Sequence, residues 1–136
     1  GRFLGGCLDV LISMIGTRFD CVKEFLQDFR EDGIIWYFDN CELSSESLIR
    51  ALWQLKEAGW FKETRAILFG RSMTNRSYYG ISFEQALEQI LQELHVPVLW
   101  DIDVGHIPPR MTFINGAITE VIYDGNDKGS IEFFLE

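Results

Sequence analysis

Ile34-Ile-Trp-Tyr-Phe38 is a run of five apolar residues, too short for a helix and lacking the apolar–polar alternation of a half-exposed strand. It reads as a strand buried on both faces, the kind a parallel sheet holds. Downstream, Ser44 or Ser45 caps a helix running to about Ala58, with Glu46 in its first turn, where the helix dipole favours an anion. Gly59 ends that helix. Leu48, Ile49, Leu52, Trp53 and Leu55 make the face expected to pack on the sheet, and Ala66-Ile-Leu-Phe69 returns as the next strand. Strand, helix and strand form a βαβ unit.

The same alternation extends in both directions. Phe3-Leu4-Gly5-Gly6 reads as a short strand, followed by a helix over Leu8 to Ile15 that Gly16 stops and a second over about Cys21 to Phe29. Beyond Phe69, residues 70–80 are polar and turn-rich, a loop able to touch a ligand or partner. Ser82 and Gln85 form a capping box, and Phe83, Ala86, Leu87, Ile90, Leu91 and Leu94 follow at helical spacing. Val96, Val98, Leu99 and Trp100 read as another buried strand. Met111 to Ile114, Ala117 to Tyr123 and Ser130 to Leu135 read as further strands, the last two joined by the Asp124–Gly129 turn. The fold class is therefore α/β, with a mixed sheet, flanking helices and an antiparallel β layer at the C-terminal end. Trp36, Trp53, Trp60 and Trp100 are assigned to the core.

With 136 residues, 47% of them hydrophobic, the chain can bury one core and is read as a single domain over residues 1–136. A net charge of −9, with the basic residues scattered, argues against a nucleic-acid partner. The apolar stretch from Leu8 to Ile15 contains Asp9 and falls well short of the ~20 residues of a membrane span. Cys7, Cys21 and Cys41 are odd in number and lack metal-ligand spacing, which argues against a disulfide framework or a zinc site and fits a reducing cytoplasm. The chain begins at Gly1, and Arg2-Phe3-Leu4 reads like the middle of a structured protein, so a fragment is expected.

Trp100-Asp-Ile-Asp-Val-Gly-His106 carries the apolar strand directly into a turn, with Pro108-Pro109 preventing a helix. His106 thus lies at the carboxyl end of a strand, where open α/β sheets collect their sites, and histidine exchanges protons near neutrality. Asp101 and Asp103 beside it make too weak a ligand set for a metal to be assigned. Cys7 invites a thiol-nucleophile reading, because Cys, His and Asp are the parts of a thiol hydrolase. A small buried hydrophobe at the start of an apolar helix is the plainer account.

Four segments carry a family likeness: Gly1-Arg-Phe-Leu-Gly-Gly6, Ile35-Trp-Tyr-Phe-Asp39, Leu52-Trp-Gln-Leu-Lys-Glu-Ala-Gly59 and Pro97-Val-Leu-Trp-Asp-Ile-Asp-Val-Gly-His106. In their order and spacing the chain resembles the C-terminal domain of the LD-carboxypeptidase family, which includes the microcin C immunity peptidases. The resemblance implies a three-layer β/β/α swivelling-type domain. It also implies a Ser-Glu-His serine peptidase whose nucleophile lies in an N-terminal domain absent from this chain.

The family histidine falls on His106 as catalytic base and the family glutamate on Asp39. Aspartate is shorter by one methylene, about 1.5 Å, so either the backbone comes closer or Glu42 is the alternative acid. Arg71 is a candidate for pairing with a substrate carboxylate. Two motif positions depart from the family, since Cys7 replaces an asparagine and Phe113-Ile-Asn-Gly116 lacks a second proline. The implied activity is cytoplasmic removal of a terminal D-amino acid from muropeptides in cell-wall recycling. Hydrolysis of peptidyl-nucleotides and a non-catalytic binding domain are the alternatives. The partners implied are a muropeptide or other small peptide, the chain's own N-terminal domain and a second copy in a homodimer, with no nucleic acid, membrane, metal or cofactor.

Overall fold

The computed structural model describes residues 1–135. The chain runs β1 (Arg2–Cys7), α1 (Leu8–Leu11), α2 (Val22–Asp28), β2 (Ile34–Asp39), α3 (Ser45–Glu57), β3 (Thr64–Gly70), α4 (Phe83–Leu91), β4 (Val98–Ile102), β5 (Ile118–Tyr123) and β6 (Gly129–Phe134), with a 3₁₀ turn, Gln92–Leu94, after α4. All six strands join one sheet in the order β4-β3-β2-β1-β5-β6. β1 to β4 are mutually parallel, whereas β5 runs antiparallel to β1 and to β6.

Because β1 to β4 are added one after another in the same direction, right-handed crossovers carry every connecting helix to the same face. The packing follows. Ile34, Trp36, Phe38, Ile67 and Phe69 turn toward that face and form one core with Leu8, Leu26, Leu48, Leu52, Leu55, Leu87 and Leu91 of the four helices. Phe3, Ile35, Tyr37 and Leu68 point the other way, where Val104, Phe113, Val121, Ile131 and Phe133 cover them. β2 is accordingly buried at all six positions, as its unbroken apolar run requires. The expected antiparallel layer is an extension of the single sheet. Its side chains nevertheless supply a third layer, with the Phe3 and Phe133 rings 5.6 Å apart.

Several local expectations are corrected. The first helix stops at Leu11 because the next turns tighten: Ser13 N and Met14 N donate to Val10 O and Leu11 O, and the Ser13 hydroxyl also bonds Val10 O at 2.6 Å. Met111 to Ile114 is not a strand. It wraps over the sheet, with Met111 N donating to Asp103 O and Phe113 against Phe3 and Tyr37. Trp36 and Trp60 are core, but Trp53 and Trp100 keep 54% and 45% of their surface. Trp53 lies one position past Leu52 and so about 100° round the helix, off the buried stripe of Leu48, Ala51, Leu52 and Leu55.

Both helices with sequence-level caps have them. Ser44 accepts from Ser47 N, and the Ser82–Gln85 box is complete. Glu46 does more than oppose the dipole. Its Oε1 accepts from the Ser77 hydroxyl at 2.6 Å, Tyr78 N at 2.9 Å and Tyr79 N at 3.1 Å, tying the polar loop to α3.

Two outcomes follow from this packing. Trp36 stacks between Trp60 at 5.7 Å and Phe38 at 5.5 Å, so Trp36→Ala should cost about 3–5 kcal/mol in denaturant unfolding. Trp53→Ala should change stability by less than about 0.5 kcal/mol. The Ser77 hydroxyl, aided by backbone N–H donors, holds the Glu46 carboxyl down at about 2 against an ordinary 4.5. The charged form is thus favoured in the folded state. Its contribution is fully present above pH 4.5 and is lost as pH falls through that value toward 2. Glu46→Gln should remove this part of the acid slope and speed amide exchange at Tyr78 and Tyr79 about tenfold at neutral pH.

Candidate active site

The carboxyl ends of β1 and β2 are in register, Cys7 opposite Asp39, so their side chains leave the same face of the sheet. At β3 and β4, Gly70 pairs with Ile102 after a register shift, and the chain then turns back over the sheet edge through Val104 and Gly105 to His106. Two glycines allow that approach. A Cβ on Gly70 would lie 2.2 Å from Val104 O, and one on Gly105, whose φ is +101°, would lie 2.5 Å from the Cβ of Asp39. Val104, buried, plugs the turn into the core beside Leu68 and Tyr37.

His106 is thereby laid against Asp39, Nδ1 to Oδ2 at 2.5 Å. Asp39 keeps 7% of its side-chain surface and His106 47%. An ionised Asp39 can only accept, so the ring proton sits on Nδ1 and Nε2 carries the lone pair. The buried carboxylate orients the ring, and the half-exposed ring is left to exchange protons. The approach expected between residues 39 and 106 is present, with Asp39 rather than Glu42 meeting the ring. Glu42 is exposed, and its backbone N donates to Asp9.

Arg71 has a different employment from the one expected. Nη1 donates to Asp103 Oδ1 at 2.5 Å, and Nη2 donates to Ile107 O and to Pro109 O. The guanidinium therefore clamps both sides of the histidine turn, a use suited to its rigid fork. Asp103 belongs to the Arg71 clamp.

Two further residues position the site, and only Asn40 is foreshadowed in the sequence, as part of a turn after the strand. Asn40, almost wholly buried, folds the chain after Asp39: its amide donates to Leu43 O and the Ser72 hydroxyl, and its Oδ1 accepts from Leu43 N. Asp9 accepts from Cys41 N at 3.0 Å and Glu42 N at 2.9 Å, and from the Cys7 thiol at 3.4 Å. Burial alone would raise the Asp9 carboxyl, but these donors outweigh it and hold it below the usual range. An Asn directly after a strand is a turn signal, and the sequence allows a turn at Asp39-Asn40. Asp9 reaches across from a different element, and local pattern carries no trace of that.

Cys7 lies close to the pair, but its chemistry is that of a thiol. Burial, then the charge of Asp39 and the bond to Asp9, push it up to about 11 from an ordinary 9.0. At neutral pH it is protonated, which removes the thiolate a cysteine nucleophile needs.

A mixed sheet with its helices on one face, a wrapped β layer on the other and an acid–histidine pair at its carboxyl edge defines an α/β domain of mixed-sheet type. The LD-carboxypeptidase C-terminal domain model matches residues 1–121, and the chain belongs to that family. A muramoyltetrapeptide carboxypeptidase from Oxalobacter formigenes superposes with a TM-score of 0.78 at 25% identity, covering 98% of this chain and 45% of that one. The microcin C7 self-immunity protein MccF in its wild-type apo state gives 0.63 at 25% identity, over 86% of this chain and 33% of that one. An MccF-like protein from Streptococcus pneumoniae in complex with AMP gives 0.68 at 24% identity, over 98% and 40%, and so bears on the fold alone. The chain spans less than half the length of each of these structures. No curated protein matches it.

Gly105→Ala tests the geometry. The added Cβ meets Asp39 and the residue is held at positive φ, so the variant should lose about 1–3 kcal/mol of stability. It should also lose the downfield Nδ1 proton resonance of His106, whereas Gly16→Ala, also at positive φ but with open space around it, should keep the resonance.

Proposed function

We propose that this chain is the C-terminal part of a serine-dependent hydrolase that removes a terminal D-amino acid from muropeptides in the cytoplasm, and that it supplies the base and orienting acid. The observation that carries this reading is the His106–Asp39 contact at the carboxyl edge of the sheet, in a domain of the LD-carboxypeptidase family. The remaining parts, a serine on a nucleophile elbow and the oxyanion donors, come from the N-terminal domain. That domain is the partner proposed for this face.

His106 Nε2 takes the serine proton as the oxygen attacks the scissile carbonyl, and Asp39 stabilises the imidazolium through Nδ1–H. The same proton passes to the leaving amine as the C–N bond breaks. Water then enters and gives a proton to Nε2 as its oxygen attacks the acyl carbon, and that proton passes to the serine oxygen as the acyl–oxygen bond breaks and the carboxylic acid leaves. Asp39 stays ionised throughout, since its role is to orient and to balance charge. Arg71 acts on the rate through the turn it clamps. Likeness to MccF, solved with aspartyl sulfamoyl adenosine, supports acyl-nucleotide amides as a second substrate class.

The longer protein tests the assignment. His106→Ala should lower kcat about 10⁶-fold and Asp39→Asn about 10⁴-fold, with KM nearly unchanged, by analogy with other serine triads. A serine-directed fluorophosphonate should label the wild type. The 136-residue chain by itself should hydrolyse neither muropeptides nor aminoacyl-nucleotides. A silent Asp39→Asn alongside a crippled Glu42→Gln would move the acid to Glu42. Turnover by the isolated chain that Cys7→Ala abolishes would replace the serine mechanism with a thiol one.

A further inference from the structure

We propose that Cys7, Asp39 and His106 together hold a thiophilic divalent cation of the zinc class, and that its binding takes the acid–histidine pair out of use. One donor atom from each, the sulfur, a carboxylate oxygen and a ring nitrogen, lies within 4.8 Å of the other two. Zinc–sulfur bonds of about 2.3 Å and zinc–nitrogen or zinc–oxygen bonds of about 2.0–2.2 Å at tetrahedral angles put donors about 3.3–3.7 Å apart. Closing onto an ion thus needs shifts of about an ångström. Asp39 and His106, now 2.5 Å apart, must open by a similar amount.

The donors converge from a rigid frame. Cys7 and Asp39 are register partners on neighbouring parallel strands, and the turn bearing His106 is pinned by Arg71. Asp9, whose carboxylate accepts from the Cys7 thiol in the metal-free chain, adds negative charge beside the sulfur that favours a cation there. Three protein donors of mixed S, N and O type leave a fourth position for water, the pattern of open zinc sites. A carboxamide at position 7 would contribute no thiolate. On binding, the Cys7 S–H bond breaks and a sulfur–metal bond forms, one proton passing to solvent with no change of oxidation state. The hydrogen bond between Asp39 and His106 gives way to two metal bonds, the ring proton shifting from Nδ1 to Nε2 as Nδ1 takes the metal.

Binding is independent of the hydrolase reading, whereas the loss of activity rests on it. Reduced, metal-free chain titrated with Co²⁺ should take up one equivalent and develop a thiolate-to-cobalt charge-transfer band with the d–d intensity of four-coordinate cobalt. One equivalent of Zn²⁺ should abolish both. Cys7→Asn should remove the charge-transfer band and weaken binding at least about 100-fold, as much as or more than losing an outer partner costs. Cys7→Ser should weaken it similarly if the asparagine variant does not fold. Cys21→Ser, at an exposed cysteine elsewhere, should change nothing.

A missing band overturns the site, as does a band that survives Cys7→Asn or one that is lost in Cys21→Ser. In the longer protein, Zn²⁺ should stop muropeptide hydrolysis and a chelator should restore it. Full activity with the site loaded overturns the inhibitory half. A chain that binds cobalt through Cys7 while the longer protein hydrolyses nothing keeps the metal site and removes the hydrolase reading.

Discussion

β2 is buried on both faces from Ile34 to Asp39, and a strand with no solvent face demands two covering layers. The four helices, all on one side because the parallel strands are added in one direction, supply the first. The second cannot come from helices. It is made by the segment that turns back after β4 and by the antiparallel pair beyond it, through Val104, Phe113, Val121, Ile131 and Phe133. Covering that face draws residues 103–117 across the carboxyl edge of the sheet. The histidine turn is therefore held over β2 by the same apolar burial that completes the core.

The one charged residue of β2 stands at that edge. A buried carboxylate without a partner costs several kcal/mol, so Asp39 needs a donor. His106 provides one while keeping half its ring in solvent. The neighbouring groups are arranged around this demand. Asp9 takes the backbone donors of Cys41 and Glu42, Asn40 takes those of its own turn, and Arg71 takes the carbonyls of the histidine turn. With those donors occupied elsewhere, Asp39 keeps its Oδ2 for the imidazole. Burial, with the charge of Asp39 and the bond to Asp9 beside it, also explains why Cys7 remains a thiol.

What could be read from residues alone divides along the range of the interactions. The central strand, the capped helices α3 and α4 and the βαβ order depend on composition and spacing within a dozen residues, and they were legible. Trp53 was misplaced because a hydrophobic list ignores the 100° between successive helical positions. Met111 to Ile114 has strand-forming residues but wraps the sheet, since its apolar side chain, Phe113, is claimed by Phe3 and Tyr37 from far away in sequence. At the site, the approach of His106 to Asp39 was legible through motif order. The Arg71 clamp, the Asp9 bridge and the gathering of Cys7, Asp39 and His106 were not, because strands 30 and more residues apart bring their ends together. A search for metal ligands by spacing fails for the same reason.

Aspartate at position 39, where the family resemblance implies a glutamate, is where the fold and the chemistry meet. A side chain shorter by about 1.5 Å can keep its hydrogen bond only if the backbone bearing the histidine comes closer. That backbone is indeed as close as atoms permit, since at Gly105 even a methyl group would lie 2.5 Å from the Asp39 Cβ. Gly70 grants the same latitude one strand over, where Val104 O occupies the space a Cβ would fill. Lengthening the acid to glutamate without moving the turn would drive the carboxylate past the ring or out toward Cys7. The short acid, the two glycines and the Arg71 clamp therefore form one mutually dependent set, in which the position of the imidazole is determined by backbone approach rather than by the reach of the carboxylate.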